Sequence, residues 1–140
     1  MSKIQDRINE KIDEVEKYLE ELESITPGDL EDYLSSSMIK AACERYFEKI
    51  VEAIVSISFL FIREKELKSP ESEEHAFLIL SKNEIISEEL SAKLRKAKDM
   101  RNRIIHNYGE TDDAIVFHAI SEELRRDAEE FIKNVMGRLN

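Results

Sequence analysis

The sequence predicts an all-α fold, an antiparallel bundle of four long helices and one short one. Three observations carry this. The 140 residues contain only three Gly and two Pro and no Trp, too few turn-formers for a sheet-rich chain. Apolar residues recur every three or four positions over long stretches, the period of a helix with one buried face. Charged residues make up 37 % of the chain, against roughly 25 % in an ordinary soluble protein, as expected of long helices with solvated outer faces.

Ile4, Ile8, Ile12, Val15, Leu19 and Leu22 mark an amphipathic first helix from about Lys3 to Ser24, ended by Thr26-Pro27-Gly28-Asp29. A second, longer helix is predicted from about Tyr33 to Leu67. Met38, Ala42, Tyr46, Ile50, Ala53, Ile57 and Leu60 form one stripe, and Phe47, Val51, Ile54, Val55, Phe59 and Ile62 add apolar surface on other sides. A helix apolar over most of its circumference must be covered on several faces, which hints at a homodimer. Ser69-Pro70-Glu71 reads as the start of a short helix reaching about Leu80, with Phe77, Leu78 and Leu80 inward. Ser87-Glu88-Glu89-Leu90 opens a fourth helix to about His106, whose buried side is Leu90, Leu94, Ala97, Met100 or Arg101, Ile104 and Ile105. Gly109 breaks that pattern. Thr111-Asp112-Asp113 caps a last helix, with Phe117, Ile120, Leu124, Ala128, Phe131 and Val135 at helical spacing. No repeat or interdomain linker interrupts residues 1–140, which read as one domain.

The net charge of −10 argues against nonspecific adhesion to nucleic acid, although it leaves room for a local basic site. Cys43 is the only cysteine, so no intramolecular disulfide can form and a reducing cytoplasm is the expected compartment. The richness in Glu, Lys and Ile resembles proteins from hot environments. The N-terminus lacks the apolar core of a signal peptide. The most apolar run, Ile50 to Ile62, is shorter than the roughly 20 residues that span a bilayer, so a buried helix is expected and no membrane partner. His75, His106 and His118 fall in no metal-binding arrangement, and neither a metal nor a cofactor is expected. His75 reads as a solvated ion pair with its Glu neighbours, His118 as a boundary residue, and Cys43 as a small buried hydrophobe.

The remaining chemistry lies in Arg101-Asn102-Arg103-Ile104-Ile105-His106-Asn107-Tyr108. At about 100° per residue, Asn102 and His106 share a helix face, so the amide can orient the imidazole. Arg101 and His106 lie about 140° apart and could flank a ligand across the helix end. From Lys93 to Arg103 there are six cations against the single acid Asp99, a net +5. Guanidinium groups grip phosphate through paired hydrogen bonds, and an imidazole can take or return a proton, so the stretch suits phosphodiester chemistry. It also suits ordinary helix termination, because the helix dipole favours cations near a C-terminus.

Arg101-Asn102-x-x-x-His106-x-Tyr108 resembles the R-x-x-x-x-H-x-Y signature of HepT toxins of the HEPN superfamily, and the helix order resembles that family along essentially the whole chain. The resemblance implies a homodimer with a composite cleft and metal-independent endoribonuclease activity, the toxin of a type II/VII-like HEPN–MNT pair. Arg101 would bind the scissile phosphate, His106 would act as general base or acid, and Asn102 would support them, with Lys98 and Arg103 as candidate RNA contacts. The implied partner is an MNT-type nucleotidyltransferase antitoxin that attaches AMP to Tyr108. The alternative is a noncatalytic nucleotide-binding or scaffold partner of such a transferase.

Overall fold

A computed structural model describes residues 2–106 and 111–139, all helices and their connections. Helix α1 is Lys3–Ile25. Ser2 caps it by accepting from the Gln5 N–H, and Thr26 leaves it in extended backbone. Its inward stripe is Ile8, Ile12, Val15, Leu19 and Leu22, in agreement with the sequence pattern.

The predicted second helix is two. Helix α2 is Leu30–Ser35, capped by Asp29, and helix α3 is Ser37–Glu64, capped by Ser36, whose hydroxyl accepts from the Ile39 N–H. The apolar spacing runs through the junction without a gap. What divides it is a serine whose side chain satisfies one orphan donor of the next helix, a local alternative to continued winding. Because α3 starts there, Met38 falls in its first turn at the bundle end and is 83 % exposed. Between Cys43 and Ile62, most of α3's large apolar residues are buried by the chain's own helices, with Tyr46 partly buried and Phe59 exposed. This helix therefore does not by itself demand a second subunit.

Helix α4 is Glu73–Lys82. Its cap is Ser72 rather than Ser69, since the Ser72 hydroxyl accepts from the His75 N–H. His75 is a structural acceptor, not an ion-pair partner: its Nδ1 takes the Glu71 N–H at 3.0 Å. Phe77 and Leu80 are buried, whereas Leu78 is only partly so. Helix α5 is Glu88–His106, begun by the Ser87 hydroxyl accepting from the Leu90 N–H. The last helix, α6, is α-helical over Asp113–His118, π-helical over Ala119–Glu123 and α-helical again over Leu124–Met136. Asp112 caps it by accepting from the Ala114 and Ile115 N–H groups.

A few ties fix the order in space. Thr26 Oγ1 lies 4.0 Å from Cys43 Sγ, and Ser2 Oγ donates to Glu64 at 3.0 Å, so α1 and α3 are antiparallel. Lys40 pairs with Asp113 and Gln5 donates to the Leu139 carbonyl, which sets α6 antiparallel to α1. Ser91 donates to the Phe77 carbonyl at 3.2 Å, bracing α5 against α4. The buried apolar residues form one connected cluster from Ile8 to Val135. No helix among the described residues is long and apolar enough to cross a membrane.

Candidate functional site

Helix α5 carries the site, and its last two turns depart from the apolar pattern. Arg101 is only 6 % exposed, while the Ile105 expected on the buried side is 46 % exposed. A buried guanidinium must be neutralised and hydrogen-bonded. Here the work is shared. Arg101 Nη2 donates to Glu73 Oε1 across from α4, and Arg101 Nε and Nη2 donate to Asn102 Oδ1 at 3.1 and 2.7 Å. Glu73 stands in the first turn of α4, where an acid also meets the positive end of the helix dipole. The Ser72 and His75 capping bonds fix that turn, and through it the carboxylate that holds Arg101.

The other sequence-expected residues fall around this pair. His106 ends α5 with an exposed side chain, and Asn102, one turn earlier, is half-buried. The Asn102 oxygen is occupied by Arg101, a partner the sequence did not indicate. Lys98 pairs with Asp99 at 2.8 Å, while Arg103 is exposed. Tyr108, expected to be the modified residue, and the break at Gly109 lie outside the described residues. Glu73 is the residue that sequence reasoning missed. Nothing near it resembled a motif; the available signal was an acid in the first turn of a helix next to a segment holding a buried arginine.

A cavity of about 240 Å³ lies elsewhere, between α3, α5 and α6. Phe47, Val51, Ile54, Leu94, Ala97 and Met100 are among its walls, with Ala119 and Glu123 of the π-helical turn. Met100 and His106 are about 120° apart around α5, so the cavity opens on the side away from the imidazole. Among the described residues no group of three or more His, Cys, Asp and Glu is placed to hold a metal ion. Cys43 is fully buried, and burial pushes its thiol pKa up, which makes it a poor nucleophile. His118 is exposed, 4.0 Å from Glu123.

Comparison with known proteins converges on one family. A family model described as Ribonuclease HepT-like matches residues 15–135. A protein from Aphanizomenon flos-aquae named tRNA nuclease HepT is 31 % identical over 121 residues, covering 85 % of this chain and 81 % of that protein. A protein from Shewanella oneidensis named mRNA nuclease HepT is 27 % identical over 127 residues, covering 91 % and 94 % respectively. Among solved structures, the tri-AMPylated Shewanella oneidensis HEPN toxin in complex with an MNT antitoxin superposes with a TM-score of 0.89. That match has 25 % identity and covers 99 % of this chain and 100 % of that one.

Proposed function

Given that the chain belongs to the HepT-like ribonuclease family, we propose that it is an endoribonuclease toxin acting in the cytoplasm as a homodimer, with Arg101 and His106 at its centre. The observation that supports this most is the buried, doubly held guanidinium of Arg101 five residues before the exposed imidazole of His106. A fixed cation needs no reorganisation when negative charge builds on a phosphoryl group, which is where electrostatic catalysis has its largest effect.

In the proposed reaction the His106 imidazole removes the proton from a ribose 2′-hydroxyl. The 2′-oxygen attacks the adjacent phosphorus and the bond to the 5′-oxygen breaks. A 2′,3′-cyclic phosphate and a 5′-hydroxyl result, and the leaving oxygen takes its proton from an imidazolium or from water. Arg101 carries the charge on the non-bridging oxygens, with Glu73 and Asn102 fixing its plane. The partner is a nucleotidyltransferase antitoxin that places AMP on Tyr108. The added negative charge and bulk would lie two residues from His106 and repel an RNA backbone.

The test compares purified wild type with His106→Ala in RNA cleavage and growth arrest, each with and without the nucleotidyltransferase partner. Loss of both activities in a folded His106→Ala protein is expected, with AMP addition detected by mass spectrometry and lost in Tyr108→Phe. If wild type cuts no RNA and growth arrest survives His106→Ala, the nuclease reading fails and a scaffold role for the transferase takes its place.

A further inference from the structure

The cations of α5 divide into two sets. Lys93 is paired with Glu89, Lys98 with Asp99 and Arg101 with Glu73. Arg95, Lys96 and Arg103 have no acidic partner among the described residues. The second set is not scattered. Counted at about 100° per residue, Arg95 lies about 20° from His106, Arg103 about 60° and Lys96 about 80°; Lys96 and Arg103 are exposed and Arg95 half-buried, and Lys96 also borders the cavity between α3, α5 and α6. From Arg95 to His106 this side of the helix rises about 16 Å. Asp99, the one acid on it, is already engaged by Lys98. Arg95 is half-buried: its Nε is a buried donor without a hydrogen-bond partner, so it is the guanidinium end of the side chain that would meet a phosphate. The chain as a whole carries a net charge of −10, so a polyanion needs a local basic stripe to bind.

We propose that Arg95, Lys96 and Arg103 form a phosphate-binding track for single-stranded RNA, running from His106 back along this side of α5 and holding the nucleotides on one side of the scissile bond. The proposal rests on the nuclease reading above. It also changes the expected RNA contacts: Arg103 stays, Lys98 is committed to Asp99, and Arg95 and Lys96 enter. Because the contacts go to the backbone, the track supplies affinity and register rather than base preference.

The experiment measures binding of a fluorescein-labelled 12-nucleotide single-stranded RNA by anisotropy across a salt series, in the His106→Ala background so that nothing is cut. Single-strand binding falls with salt with a log–log slope of roughly −0.7 per phosphate contact. The triple variant Arg95→Ala/Lys96→Ala/Arg103→Ala should therefore lose about 2 from that slope, and on the order of a hundredfold in affinity at 0.1 M salt. The double variant Lys96→Ala/Arg103→Ala, confined to exposed side chains, should lose about 1.4 in slope. Lys133→Ala on α6 should change neither quantity. An unchanged slope and affinity in both multiple variants, with wild type still cleaving RNA, overturns the track and leaves the nuclease reading intact. Absence of cleavage by wild type together with absence of RNA binding by His106→Ala removes both.

Discussion

Helices α1 and α5 are both long, amphipathic and rich in charge, yet they follow different rules. Every buried residue of α1 is aliphatic: Ile8, Ile12, Val15, Leu19 and Leu22. The buried set of α5 is Leu90, Ser91, Leu94, Met100 and Arg101, and it turns Ile105 outward. The first helix is shaped by burial alone, at roughly 25 cal/mol per Å² of apolar surface. The second gives up apolar burial in its last turns to seat a charge, a local conflict of the kind that natural folds keep mainly at functional sites. Substitutions in α1 should therefore act on stability and substitutions in the last turns of α5 on chemistry.

The largest expected effect is at Arg101. Arg101→Ala should lower the RNA cleavage rate by about 10²–10³, the loss seen when one preorganised charge-stabilising donor is removed. Arg101→Lys should recover little of it, because an ammonium keeps the charge but cannot form the forked contact to Glu73 and Asn102. Cleavage rates normalised to folded protein decide this, and a rate within threefold of wild type in Arg101→Ala would erase the distinction between the two helices.

Next is the reciprocal substitution in α1. Leu19→Ala removes most of a side chain that is 3 % exposed and should cost about 2–4 kcal/mol in urea unfolding, while the folded fraction cleaves RNA at the wild-type rate. A selective loss of rate at unchanged stability would show that α1 also shapes the site.

These expectations follow how differently the two regions could be read beforehand. In α1 the period of the aliphatic residues and a following Pro-Gly turn determine both extent and facing, because a single force acts. The divided second helix was hidden, since Ser35-Ser36-Ser37 interrupts the backbone without interrupting the apolar period. In α4 the serine-proline pair suggested Ser69 as the cap, but Ser72 could also reach the His75 N–H and His75 could close the turn onto Glu71. The π-helical turn of α6 carries neither Gly nor Pro, so no residue type announced it. At the site, the spacing of Arg101, Asn102 and His106 was legible because it lies within one helix. Glu73 was not, because its contact depends on how α4 packs against α5, a relation without a local period.

A smaller effect tests that cross-helix contact. Glu73→Gln keeps the shape of the side chain but leaves the buried Arg101 without its countercharge. Removing one partner of a fully buried pair costs about 3–5 kcal/mol. Glu73 is 37 % exposed in its side chain and water screens part of the change, so about 1–2 kcal/mol is expected. Cleavage should fall by about tenfold as the guanidinium loses its fixed plane. Asn102→Ala in the same background separates the two holds on Arg101: a combined loss larger than the sum of the single losses means that they act on one group.

The smallest effect lies where α3 meets the start of α6, and its sign is the informative part. Burial raises the Glu44 carboxyl above its ordinary value, Lys40 opposes the shift, and Asp113 and Glu48 add to it. A folded-state pKa above the unfolded one means that the folded chain binds the proton more tightly. Glu44 therefore stabilises the fold least when ionised, and stability declines as pH rises from the ordinary carboxylate value through the raised one. Glu44→Gln removes that decline. Thermal melts should show the variant more stable than wild type at pH 7, with the gain vanishing as pH falls below the ordinary carboxylate value and both side chains become neutral. Equal gains at neutral and acid pH would place the effect in packing instead of charge. Neither result should move cleavage at neutral pH, because Glu44 belongs to the part of the molecule that α1 represents, where substitution changes how firmly the bundle holds and not what Arg101 and His106 do.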